Sequence, residues 1–421
     1  MNSFSSIKKL LEKDQPATIV FVNDTGFIGG AGVAHRRQMQ SFLSGGHDVA
    51  ALCWLENPQP DPLPPRGATF PGRWLGLRSY PSIHRDGGLA DGEIALRLRD
   101  EVAALKPDLV IFGNLHWARW TIDVIEEISA AGIPAVCYLH DCHWLTGRCA
   151  YTGTCKKFVT GCDSSCPTPE EYPPALPSRI EKNWLDRRRV FCGDNAVPLF
   201  ANSHWMQSMA NLAFRGRAIV KLVPLGLDHQ LFSPIDQAVA RRLLGLPAAG
   251  LLILAGAVNL KEKRKSGPVF DQLLSYISAR RQAGVVAFGA RSDEFEGVIG
   301  LGQISDERMM PLVYSATDIL VHTAQEESFG QTLMEAAGCS VPSVAFASGG
   351  MVDIARHREN SLTVSPGDAT SFMNSVQTLL DDEALRASLG HAGVQIVKSD
   401  YTLDKQYQSW RSTLISLSPQ I

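Results

Sequence analysis

The sequence predicts an α/β protein of two doubly wound, Rossmann-like domains facing across a cleft. Three observations predict it. Short apolar, β-branched runs alternate with helix-like stretches through the first half. The same alternation restarts near residue 251 after a break. The 421 residues, 45% hydrophobic and 20% charged, suffice for two or three globular domains. Strand–helix alternation implies parallel sheets covered on both faces, whose ligands bind at the carboxyl ends of the strands.

The elements follow in order. Residues 18–22 read as a buried strand. A glycine-rich turn at 26–32 leads to a helix over 34–43, which Gly45-Gly46 ends before a strand at 48–52. Residues 58–65 form a proline-rich surface loop. Strands are expected at 108–112 and 135–139, with a helix over 122–131 between them, and at 199–201 and 219–223. Residues 142–177 are irregular and rich in Cys, Gly and Pro, and a loop of that length is usually functional or metal-stapled. Residues 228–246 read as the crossing between halves. The second half has strands at 251–254, 285–288, 319–322, 343–346 and 362–364, and helices at 269–282, 306–316, 332–338 and 369–380. A last helix, 403–417, is expected to return to the first domain. The domains are therefore 16–228 and 229–402.

A net charge of −3 gives no global basic field, so nucleic acid is not an expected partner. Residues 1–15 are polar, with Lys8, Lys9 and Lys13, and lack the apolar core of a signal peptide. They read as a frayed terminus; a short amphipathic helix over 7–11, resting on a membrane, is the alternative. The uncharged run 243–260 contains Pro247 and glycines, and reads as a loop feeding a strand rather than a membrane span. The expected location is the cytoplasm, with peripheral contact at the inner membrane face as an option. Nine cysteines in such a chain are expected to be mostly reduced.

The stretch from Glu327 to Glu335 is the most informative. Ser328, Phe329, Gly330 and Gln331 sit where a helix opens, and first-turn amides can hold a phosphate. Glu327 precedes that helix and Glu335 lies inside it among Leu333, Met334, Ala336 and Ala337, where sugar hydroxyls would partner a part-buried carboxylate. An ordinary amphipathic helix with surface carboxylates is the alternative. Lys261, Lys263, Arg264 and Lys265 crowd the loop after strand 251–254, ahead of a helix, and suit a diphosphate or form a solvated charge run. Gly29 and Gly30 stand between a strand and a helix, either admitting a ligand to the backbone or shaping a turn. His140 and Asp141 follow strand 135–139 at its carboxyl end.

With these residues the chain resembles the retaining glycosyltransferases of family 4, which have the GT-B fold. The specific matches are Glu327-Ser-Phe-Gly, Glu335-Ala-Ala-Gly, the run from Val344 to Asp353, and Pro366-Gly367-Asp368. Gly29-Gly30-Ala31, Gly46-His47-Asp48-Val49, and the segment from Pro224 to Asp228 with Phe232-Ser-Pro234 match as well. The resemblance implies transfer of a hexose from a UDP- or GDP-sugar to a glycan or lipid-linked acceptor, with retention by front-face attack and no catalytic metal. It places Glu327 on donor-sugar hydroxyls, the amides of Phe329, Gly330 and Gln331 on the sugar and distal phosphate, and Glu335 on the ribose. Lys265 would bind the diphosphate and His140 would sit near the reacting sugar. The chain departs from the pattern at Asn259, where an Arg is usual, and at Ser266, where a Gly is usual. Arg264 is the substitute cation. Asn360-Ser361 replaces the more usual Asn-Gly.

A narrower resemblance joins His116-Trp117, His140-Asp141, Trp144, Thr146-Gly147, Tyr151, Gly161-Cys162, Cys166-Pro167 and Tyr172-Pro173 to the exopolysaccharide, colanic-acid-type branch. It implies an acceptor side at His116 and Asp141. Cys149, Cys155, Cys162 and Cys166 are the right number for a structural zinc, though their spacing lacks a C-x2-C knuckle. Packed reduced thiols are the alternative. Rival functions are an epimerase-like sugar-nucleotide enzyme and a catalytically weak scaffold subunit.

Overall fold

The computed structural model describes residues 4–54, 69–79, 91–256, 264–265, 267–280, 282–289 and 295–417. The chain divides into two compact units, Met1–Gly226 with Leu403–Ile421, and Leu227–Thr402.

Unit 1 holds a parallel sheet of β1 (Thr18–Val22), β2 (Asp48–Cys53), β3 (Trp74–Ser79), β4 (Leu109–Phe112), β5 (Ala135–Leu139), β6 (Leu199–Ala201) and β7 (Val220–Leu222). The strand order is β3-β2-β1-β4-β5-β6-β7. Strand order therefore reverses direction beside β1, where β2 pairs on one side and β4 on the other. Strands β4 and β5 are buried along their whole length, as runs such as Leu-Val-Ile-Phe require when helices cover both faces.

The glycine-rich segment departs from expectation. Gly29 opens the helix Gly29–Ser44 instead of belonging to a turn before it. Its φ of +73° with no atom near a would-be Cβ marks a conformational need rather than a need for space. Gly32 is different: a Cβ there would press on the backbone of Phe27 and Gly26.

The frayed terminus is also corrected. Residues Ser5–Glu12 form a helix whose Ile7 and Leu11 are fully buried. Leu11 O accepts from Arg411 Nη2 at 2.8 Å, so the apolar face is spent on packing against the helix Leu403–Ser416. That last helix belongs to unit 1 and buries Trp410 and Leu414 there. Trp410 stacks on Phe200 of β6 at 4.7 Å and 18° and lies 5.6 Å from Phe42 and Tyr138.

Unit 2 repeats the plan with β8 (Leu251–Gly256), β9 (Ala283–Phe288), β10 (Val298–Gly300), β11 (Ile319–His322), β12 (Ser343–Phe346) and β13 (Ser361–Val364). Their order is β10-β9-β8-β11-β12-β13, again parallel, so the reversal falls between β8 and β11. Helices Asp91–Ala104, Pro177–Cys192, His204–Phe214, Gln237–Leu244 and Glu383–Asp400, and strands β3 and β10, are additions to the sequence reading. Among the described residues no helix is long and apolar enough to cross a membrane. The proline-rich loop 58–65 lies outside the described residues.

Candidate functional sites in the two units

In unit 2 the site is built where strand order reverses. Arg264 and Lys265 follow β8, and Glu327 follows β11. Arg264 Nη1 donates to Glu327 Oε1 at 3.2 Å and to the Glu326 carbonyl at 2.8 Å, and Lys265 Nζ also bonds Glu327 Oε1. The loops are locked together by backbone as well. Gln325 N donates to Arg264 O at 3.1 Å, and Thr323 Oγ1 to Lys265 O at 2.9 Å. Glu327 is 7% exposed. Burial alone would push its carboxyl up, but Lys265, Arg264 and His322 outweigh it and hold it at about 2. Both cations use Oε1; among the described residues Oε2 takes no hydrogen bond.

His322, the last residue of β11, was not foreseen. Burial drives its imidazole down to about 4 despite the pull of Glu327, so it is neutral at physiological pH. Its Nδ1 is buried without a partner. The only sequence signal is a polar residue ending the apolar run Ile-Leu-Val-His.

The helix Gln331–Gly338 begins after Gly330, which holds a left-handed φ of +95° and leaves the helix start without a side-chain cap. First-turn amides lack intrahelical acceptors, which makes this end suited to an anion. Phe329 is core: 1% exposed, it packs edge-on against Tyr401 at 5.8 Å. Ser328 is buried too. Glu335 sits about one turn in, 7% exposed, accepting from Tyr314 OH at 2.7 Å. The expectation of surface carboxylates is thereby excluded. Gly349, at φ +59°, packs so closely that a Cβ would strike the Glu327 carbonyl, which Gly350 N also bonds at 2.8 Å. Asn259, Lys261, Lys263 and Ser266 lie outside the described residues.

In unit 1 the ends of β1, β4 and β5 gather Asn23, Asp24, Asn114, His140 and Asp141, all buried. Asn114 Nδ2 donates to Asp141 Oδ2 at 2.9 Å, and His143 N to Asp141 Oδ1 at 2.8 Å. His116 Nε2 stands 3.9 Å from Asp141 Oδ2. His140 packs edge-on against His35 at 4.9 Å, and its Nε2 has no partner. Burial, then the neighbouring His116, lowers the His140 imidazole to about 3. It is a neutral hydrogen-bonding group, not a cation. Gly113 permits this crowding, since a Cβ would come within 2.6 Å of the His35 ring. Asp24 accepts from Trp117 N at 2.8 Å, and burial raises its carboxyl to about 7 with help from Asp141.

The Cys-rich loop is tied by two arginines that sequence reasoning missed. Buried Arg187 bonds the carbonyls of His143 and Thr146 and stands 2.8 Å from His143 Nε2. Arg148 bonds the carbonyls of Glu171 and Pro173, Thr168 Oγ1 at 3.1 Å and Cys149 Sγ at 3.3 Å. Cys149, Cys155, Cys162 and Cys166 are free thiols. Among the described residues no three of His, Cys, Asp and Glu converge to hold a metal ion. The guanidinium groups tie the loop through its own backbone.

The chain is similar to known proteins in sequence and in fold. Residues 295–395 match the family model described as glycosyl transferases group 1. A D-inositol 3-phosphate glycosyltransferase of Salinispora arenicola is 29% identical over 197 residues, 40% of this chain and 44% of that protein. WcaC of Escherichia coli, named for colanic acid biosynthesis glycosyl transfer, is 28% identical over 214 residues, 49% of this chain and 50% of that protein. The chain thus spans about half or less of the length of these curated relatives. Among solved structures, Anabaena Alr3699/HepE in complex with UDP and glucose superposes with a TM-score of 0.69 at 20% identity, covering 95% of this chain and all of that one. WaaG, a glycosyltransferase involved in lipopolysaccharide biosynthesis, gives 0.62 at 13%, covering 95% and 100%. At such identities the likeness is one of fold, and that fold is GT-B: two parallel-sheet, Rossmann-like domains.

Proposed function

We propose that the chain is a retaining glycosyltransferase moving a hexose from a nucleoside-diphosphate sugar to a glycan or lipid-linked saccharide, in exopolysaccharide or cell-surface polysaccharide synthesis. The observation that carries the reading is Glu327, a buried carboxylate held ionised at about 2 with both cations on one oxygen. Its second oxygen can accept from sugar hydroxyls. Arg264 and Lys265 can turn from Glu327 to the diphosphate, so the cations neutralise the leaving group as the glycosidic bond breaks. The uncapped start of helix Gln331–Gly338 would receive the distal phosphate. Glu335 would hold the ribose. Neutral His140 and the Asn114–Asp141 pair would position the acceptor hydroxyl on the unit 1 side. Anabaena Alr3699/HepE, a solved protein of this fold, holds UDP in one structure and UDP-glucose in another, which favours a UDP-sugar. No metal enters these steps.

The test is thermal unfolding with UDP-, GDP- and ADP-sugars, followed by transfer and donor hydrolysis assays. One sugar nucleotide should raise the melting temperature by mass action. Glu327→Ala and His140→Ala should both lose activity. Full activity in both variants overturns the site assignment, and stabilisation by none of the donors overturns the donor.

A further inference from the structure

Among the described residues, two aromatic side chains stand out among the exposed large apolar groups, Trp117 at 52% and Tyr172 at 54%. They are neighbours, with ring centroids 5.9 Å apart and planes at 52°. One comes from the turn after β4 and the other from the Cys-rich loop. Both are fixed from beneath. The Tyr172 hydroxyl lies 2.9 Å from His116 Nε2, whose ring is 5.4 Å from the Tyr172 ring, and Trp117 N donates to buried Asp24 at 2.8 Å. The loop that carries Tyr172 is itself held at Glu171 and Pro173 by Arg148.

Exposing two rigid aromatic faces forgoes their burial, and such faces commonly serve as contact surfaces because little conformational entropy is lost on binding. What adjoins them decides the partner. Asp141 lies 3.9 Å from His116, and His116 Nδ1 and Asn114 Oδ1 are buried without partners. Apolar ring faces beside carboxylate, imidazole and amide groups match a pyranose, which has an apolar C–H face and a rim of hydroxyls. The Asp141 carboxylate beside His116 disfavours an anionic partner.

We propose that Trp117 and Tyr172 form the platform on which a pyranose of the acceptor stacks, with His116, Asp141 and Asn114 binding its hydroxyls. The assignment rests on the glycosyltransferase reading and names the residues that see the acceptor.

Saturation-transfer NMR on the full chain tests it, with methyl α- and β-glycosides of glucose, galactose, mannose and fucose as probes. At least one glycoside should receive saturation on its ring C–H protons. Trp117→Ala and Tyr172→Ala should weaken that glycoside's binding by about tenfold, while Trp117→Phe keeps most of it. Tyr172→Phe, which keeps the ring and loses the hydroxyl, should fall between. Thermal shifts by UDP-sugars should be the same in every variant, which separates this proposal from the donor assignment. No signal from any glycoside, or unchanged binding in both alanine variants, overturns it. So does a Trp117→Ala protein that loses binding to phosphatidylglycerol vesicles but not to glycosides, since the pair would then face lipid.

Discussion

Replacing Glu327 by Gln keeps the shape of the side chain and removes the charge that Arg264 and Lys265 surround. The folded carboxyl sits at about 2 against 4.5 for an ordinary glutamate. At about 1.4 kcal/mol per pH unit, that gap corresponds to about 3 kcal/mol. Lys265 and Arg264 are 25% and 21% exposed. Solvent screening therefore reduces the contribution to about 1–3 kcal/mol. Because the folded value is depressed, this stability is present above 4.5 and lost as pH falls toward 2. Scanning calorimetry at pH 7, 5 and 3 should show Glu327→Gln melting about 3–9 °C below the parent at pH 7, with the gap closing as pH drops. A gap that does not change with pH would refute the reasoning. So would a variant more stable than the parent at pH 7, because the cost of burying the Glu327 charge would then exceed what the two cations return.

Three further outcomes follow from the geometry. Gly349→Ala forces a Cβ onto the Glu327 carbonyl at a left-handed φ, so it should cost about 2–4 kcal/mol by thermal unfolding and weaken UDP-sugar binding. Arg187→Met takes the guanidinium donor away from the His143 and Thr146 carbonyls, and hydrogen exchange over 142–177 should quicken, consistent with about 2–4 kcal/mol lost. Asp24, with its carboxyl raised to about 7, contributes stability that is fully present below its ordinary 3.8 and is lost as pH rises toward 7. Asp24→Asn should flatten that decline, and thermal unfolding between pH 4 and 8 measures it.

The Glu327–Glu335 unit was legible because its chemistry is local: a turn, a left-handed glycine and a helix start all lie within nine successive residues. The strands β1, β5, β11 and β12 were legible as apolar β-branched runs. Strand β3 was not, since it is half-exposed and carries Gly76 at φ +104°. The helix Asp91–Ala104 was readable in principle, with Ile94, Ala95, Leu98 and Val102 buried at helical spacing. The arginine ties of the Cys-rich loop were out of reach. Their acceptors are backbone carbonyls brought near by tertiary folding, and a carbonyl leaves no mark in a sequence. The same holds for His322 and Asp24, whose altered protonation comes from burial and from neighbours remote in the chain.

The place of the helix Leu403–Ser416 has a consequence for how the protein is made. Its Trp410 is fully buried against Phe200, Phe42 and Tyr138, and Tyr407 fills the space beside Gly45. The unit that begins at the amino terminus is therefore still short of part of its core after residue 226 has emerged from the ribosome. Unit 2, whose residues all lie between the two parts of unit 1, has everything it needs first. Synthesis runs from one end while completion runs the other way, and until the last helix arrives the nascent first unit exposes the apolar surface that Trp410 and Leu414 will cover.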